Sequence, residues 1–225
     1  MFIRPHPRRA LVATLLLAAS VATPAAAQEP TVEVPAEAPA QPAAPRLRGI
    51  ARFGLEDGGD KVLSFQYEDG STPDITAGGG LHLSLGTAYR TLRTRAGALD
   101  AQLALGLKWR TIPPAENQEA NWLRFPLDAM MVFRSTRGFG VGAGSTVHLG
   151  NALRTSGEVA NGSVEFANTP GFIVQAEYAW RGAIFDVRYT RMQYELNDAA
   201  ITEKVDASSL GLGISMMFGR HGIVR

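Results

Sequence analysis

The chain has 225 residues, a formal net charge of +1 and no cysteine. A charge this close to zero, with no long run of Lys or Arg, argues against a nucleic-acid binder. The missing thiols exclude disulfides, thiolate metal sites and a cysteine nucleophile. Mean hydropathy is −0.03, so most of the chain cannot be apolar membrane helix. A β-barrel can hide in such an average, because only every second residue faces lipid.

Residues 1–27 read as a secretory signal. Arg4, Arg8 and Arg9 form a basic start, Ala10 to Ala19 is an apolar run, and Ala25-Ala26-Ala27 offers small residues for cleavage before Gln28. The apolar run is short of the roughly 20 residues that a spanning helix needs. Residues 28–46 carry Pro30, Pro35, Pro39, Pro42 and Pro45 among alanines, the composition of an extended, semi-rigid periplasmic linker.

From Leu47 the dominant pattern is alternation, which in a strand sends successive side chains to opposite faces. The first strand sets Ala51, Phe53 and Leu55 against Arg48, Arg52 and Gly54. The next sets Leu81, Leu83, Leu85 and Tyr89 against His82, Ser84, Gly86 and Arg90. Leu99, Leu103, Leu107 and Trp109 then oppose Asp100, Gln102, Lys108 and Arg110. In the fourth, Leu123, Phe125, Leu127 and Phe133 oppose Arg124, Asp128 and Arg134. The same period runs through Phe139 to Leu149, Phe172 to Trp180, Phe185 to Tyr189 and Ser209 to Phe218.

These are eight candidate strands of about 9–12 residues, the length a tilted strand needs to cross hydrocarbon. The spacing predicts an all-β, antiparallel up-and-down transmembrane barrel over residues 47–219, followed by a tail at 220–225. Gly140-Gly142-Gly144 and Gly211-Gly213 would weaken a water-facing surface for no gain, but they suit a narrow interior. Short links near 95–97, 135–138 and 181–182 alternate with longer polar links at 111–121, 150–169 and 197–208, as periplasmic turns alternate with extracellular loops. The first long link, 57–80, contains a further strand-like run, Lys61 to Tyr67. We read it as part of a hairpin projecting from the first extracellular loop; the alternative is a ten-strand barrel that uses Ile75 to Ala77. After Tyr189 the apolar residues move to Met192, Tyr194 and Leu196, which suggests either a bulge near Thr190 or Arg191 or a segment above the membrane.

The face opposite lipid gathers a polar set: Arg48, Arg52, His82, Arg90, Asp100, Lys108, Arg110, Arg124, Asp128, Glu177, Asp186 and Arg188, with Glu56, Arg134, His148 and Gln175 beside them. An eight-strand interior is about wide enough for side chains alone, and buried charges must pair or each costs several kcal/mol. The expectation is a salt-bridged plug that fixes register; a narrow pore is the alternative. Tyr89, Trp109, Phe133, Phe139, Tyr178, Trp180 and Phe218 fall near strand ends, as interface girdles do. A lipid-modifying enzyme is a further alternative: His82 and Ser84 share a face and Glu177 or Asp128 could join them, but they would point into the lumen, away from an acyl chain. His82 and His148 have no ligand spacing, so neither a metal nor a cofactor is expected.

In these features the chain resembles the small eight-stranded outer-membrane proteins typified by the OmpA transmembrane domain and OmpX, over roughly residues 47–218. The resemblance implies residence in the outer membrane of a Gram-negative cell envelope, a monomer among outer-membrane lipids and lipopolysaccharide, and assembly with periplasmic chaperones and the barrel-assembly machinery, which recognises a terminal aromatic such as Phe218. It also implies a structural or surface-interaction role through the loops, with no catalytic residue.

Overall fold

The computed structural model describes residues 47–64, 74–115, 118–157, 161–167, 169–196, 204–219 and 222–223. The predicted signal and linker lie outside them, as does most of the 220–225 tail. In chain order the strands are β1 (Leu47–Asp57), β2 (Lys61–Ser64), β3 (Asp74–Thr76), β4 (Gly80–Arg93), β5 (Gly97–Ala115), β6 (Gln118–Ser135), β7 (Phe139–Gly157), β8 (Gly162–Glu165), β9 (Pro170–Trp180), β10 (Ala183–Arg191), β11 (Gln193–Glu195), β12 (Lys204–Asp206), β13 (Ser209–Gly219) and β14 (Gly222–Ile223).

Eight of them close a barrel in the order β1-β4-β5-β6-β7-β9-β10-β13, with β13 returning to β1. All these pairings are antiparallel. Nine residue pairs make the closing seam, from Gly49 opposite Phe218 to Asp57 opposite Leu210. The predicted eight strands are therefore the barrel. The extra run at 61–64 stays out of the wall: β2 pairs only with β3, so the ten-strand alternative falls.

Three strands are longer than expected. Thr111 pairs with Asn121 and Ala115 with Gln118, so most of the predicted polar link at 111–121 is β-ladder. β7 likewise runs to Gly157 and takes β8 on its far edge. About 9–11 residues suffice to cross hydrocarbon, so β5, β6 and β7 project beyond the apolar belt at the long-loop end. The ladder between β6 and β7 shifts where Gly150 and Asn151 together oppose Arg124. Gly150 has φ +58°, the left-handed conformation that a bulge of this kind asks of glycine.

The apolar phase faces out. Leu83, Leu85, Leu103, Leu105, Val141, Phe172, Val187 and Leu212 are all exposed, Leu212 at 66%. A contiguous apolar surface of this kind is a lipid surface, not a water surface. One prediction follows: Leu103→Arg, at the middle of the belt, destabilises the barrel by about 2–4 kcal/mol in lipid vesicles. Chemical unfolding measures it; a cost near zero would mean Leu103 does not sit in hydrocarbon.

The girdle needs a correction. Tyr89, Phe133, Phe139, Tyr178, Trp180 and Phe218 are exposed, but all lie at the short-turn end. Tyr89 pairs with Leu47, Phe133 with Leu99, Phe139 with Tyr178, Trp180 with Ala183 and Phe218 with Gly49. Of the predicted set only Trp109, opposite Leu81 and Leu123, belongs to the other end. Phe218 also fills the space that a side chain on Gly49 would need, which seals the seam at its foot.

Candidate functional site

The even-numbered positions of β1, β4, β5 and β6 and their equivalents converge on the axis, where charged side chains alternate with small and apolar ones. At the short-turn end Asp100, fully buried, accepts from three arginines: Arg48, Arg134 at 2.7 Å and Arg90 at 3.3 Å. Arg134 also pairs with Glu177, which Gln175 holds from the side with a 2.9 Å hydrogen bond. Gln175 accepts in turn from Arg188 at 3.0 Å, and Arg188 pairs with Asp128 at 2.6 Å.

A second group occupies the middle. Arg52 donates to Asp186 at 2.8 Å and lies 3.6 Å from Glu56. Glu56 also receives Lys108 at 2.6 Å and the Ser209 hydroxyl at 3.0 Å, with His82 Nδ1 at 3.2 Å. Glycine makes room for these side chains. A Cβ on Gly213 would stand 2.6 Å from Asp186 Oδ2, and one on Gly106 would stand 2.6 Å from His82 Nε2. The lumen is narrow enough that each long side chain requires a missing one opposite, as expected for eight strands.

Two members of the predicted polar set behave differently. Arg110 is at the rim, one-third exposed, where it donates to the Asp74 carbonyl and lies 4.0 Å from Asp57. It lies above the network because β5 outruns the barrel. Arg124 is fully buried inside but pairs with no carboxylate among the described residues. It donates to the carbonyls of Ala77, at 2.6 Å, and Gly79, and its guanidinium lies 4.6 Å from the Trp122 ring centroid. Arg124 thus binds the first long link to the barrel.

That contact belongs to an apolar cap which the sequence reading missed. Ile75, Ala77, Ala120, Trp122, Leu153, Phe166, Met192, Tyr194 and Ala207 form one buried cluster across the long-loop mouth. Trp122 stacks on Phe166 at 5.3 Å and meets Tyr194 at 5.9 Å, and its indole N–H donates to Asn151 Oδ1 at 2.6 Å. The first-loop hairpin therefore folds over the mouth rather than projecting from it. Gly78 N–H donates to the Gly58 carbonyl and Asp60 N–H to the Asp206 carbonyl, tying two links together above the lumen. The hairpin carries its own exposed ion pair: the Lys61 ammonium, with the Ser64 hydroxyl, holds the Asp74 carboxyl below its usual pKa.

Of the two readings open after Tyr189, the bulge is absent, and Met192 and Tyr194 lie instead in the cluster at the long-loop mouth. Thr190, Met192 and Tyr194 are buried in unbroken alternation with exposed Tyr189, Arg191 and Gln193. What changes is the inner face, which turns from charged to apolar. Parity was the signal that could have found this: Trp122 shares its phase with Arg124, and Tyr194 with Arg188.

No family model matches the sequence, and no curated protein does. Among solved structures the chain is similar to Ail, the attachment invasion locus protein of Yersinia pestis, at 12% identity and TM-score 0.46, covering 76% of this chain and 97% of that one. It is similar to Neisserial surface protein A at 12% identity and TM-score 0.41, covering 79% of this chain and 100% of that one. It is also similar to OprG from Pseudomonas aeruginosa at 14% identity and TM-score 0.36, covering 76% and 95%. The barrel itself rests on the closed strand pairing and the apolar exterior described above, which together are the construction of outer-membrane barrels.

Proposed function

We propose that the chain is an integral outer-membrane barrel with a closed lumen, serving a structural or surface-interaction role through its long-loop end. The observation that carries this is the filled axis. Ion pairs cross the lumen from Asp100 to Glu56, and the apolar cluster around Trp122 roofs it. A conducting pore needs a continuous wet path, and ion-paired side chains that cross the axis oppose one.

The test is planar-bilayer conductance of the purified full chain. The expected result is no steady current at moderate voltage and ordinary salt. Reproducible ohmic steps would sink the closed-lumen reading and favour the narrow channel. The enzyme alternative gains no support from the geometry: Ser84 and His82 are both buried inside the lumen, and His82 is engaged by Glu56 and Arg52 rather than by Ser84.

A further inference from the structure

The bulge between β6 and β7 opens a recess in the outer wall. Gly150 carries no side chain to cover the Phe125 ring; a Cβ there would stand 3.2 Å from Phe125 Cδ2. The recess runs from that ring across to β8 and measures about 680 Å³, within the roughly 300–1,000 Å³ of small-molecule sites. It lies at the long-loop end, where the outward phase changes from apolar to polar. Leu123 and Phe125 form its apolar side, and Asn121, Arg154 and Glu165 its polar side.

The fold does not use these polar groups. Asn121 and Arg154 are exposed cross-strand partners, and Glu165 stands opposite Ala152 on the next strand. Arg154 and Glu165 are therefore diagonal neighbours, a spacing that long side chains can bridge, yet no ion pair joins them. Among the described residues the side chains of Asn121, Arg154 and Glu165 have no hydrogen-bond partner. At the back of the recess Asn151 gives its carbonyl oxygen to the Trp122 indole, and its buried amide nitrogen has no partner among the described residues.

What these groups can bond selects the occupant. One guanidinium, one carboxylate and two amides offer donors and acceptors together, with no net charge. An anion meets Glu165 and a cation meets Arg154. An acyl chain would leave all four groups unpaired, which costs most at buried Asn151. An added peptide strand needs open backbone groups, but here β7 is laddered to β6 on one side and to β8 on the other. Hydroxyl groups each donate and accept, and the C–H face of a pyranose covers bare ring carbons such as those of Phe125.

We infer that this recess is a binding site for an uncharged oligosaccharide, with Phe125 against one sugar ring and Asn121, Arg154 and Glu165 on its hydroxyls. The inference rests on the surface-interaction reading above and names a ligand class for it. Sugars reach this height from two sources, a glycolipid of the surrounding leaflet or a soluble glycan.

The experiment titrates the isotope-labelled full chain in detergent with maltotriose, cellotriose and triacetylchitotriose. Parallel titrations use a glucosyl diacylglycerol and the same diacylglycerol without its sugar. The nuclear magnetic resonance signal of the Trp122 indole N–H reports binding, because that group bonds to Asn151 at the back of the recess. The expected result is a saturable shift with a sugar-bearing probe and none with the bare diacylglycerol. Binding of a free trisaccharide names a soluble glycan as the source; binding of the glycolipid alone names the leaflet. Arg154→Gln with Glu165→Gln weakens either about tenfold, whereas Arg137→Gln, at the opposite end, leaves it unchanged. The site is overturned by no saturable shift with any sugar, by an equal response to the bare diacylglycerol, or by undiminished binding to the folded double variant. The closed lumen is judged separately by conductance and survives each of those failures.

Discussion

Asp100→Ala costs the barrel about 3–5 kcal/mol, read as a shift of the urea unfolding curve in lipid vesicles. The figure follows from burial. Asp100 has no exposure and takes three guanidinium groups, from Arg48, Arg90 and Arg134. Removing one partner of a buried ion pair leaves an uncompensated charge in low dielectric, and that penalty is the large one. An ion pair of the same geometry in water is worth about 0–1 kcal/mol. The measurement therefore decides between a dry and a wet lumen. A loss below about 1 kcal/mol would mean that water replaces the carboxylate, and it would revive the pore reading. The expected loss is also larger than that for Glu177→Gln, because Arg134 keeps Asp100 when Glu177 is neutralised.

Trp122→Ala is the second large effect, again about 3–5 kcal/mol, the range for deleting a buried aromatic side chain. Its consequences are local to the mouth. The indole stacks on Phe166, packs against Tyr194, donates to Asn151 and lies against the Arg124 guanidinium. Arg124 in turn holds the carbonyls of Ala77 and Gly79. The expected outcome is faster proteolytic cleavage in the first long link of the reconstituted protein, with no gain in conductance, since the ion pairs below remain in place. Wild-type cleavage rates would show that the cap does not depend on this ring.

The lower two-thirds of the barrel were legible because lipid imposes a strict parity. Once Leu103 must face out, Asp100, Gln102 and Lys108 must face in, and the neighbouring strand fixes which of them meet. The mouth was not legible for the opposite reason. There the inner face turns apolar and the outer face polar, so the pattern at Met192 and Tyr194 left a change of phase and a change of environment equally open. The cap also draws Ile75, Trp122, Phe166 and Tyr194 from four separate segments, and no local pattern reports a meeting of that kind. Arg110 misled for a related reason: its parity is that of Lys108, but its height is that of the rim. Period gives the side of a strand on which a residue lies; it does not give its depth.

The seam between Gly49–Asp57 and Leu210–Phe218 joins the first strand of the sheet to the last. Every other wall contact is between strands that follow one another around the sheet. Until β13 exists, the N–H and C=O groups along the outer edge of β1 have nothing to bond, and in hydrocarbon each such group costs several kcal/mol. A chain that stopped before Ser209 would therefore not be a smaller barrel but an open sheet with two raw edges, a template for aggregation. Entry into the bilayer and closure of the ring must then be one event, with no stable halfway resident between the nascent chain and the finished cylinder.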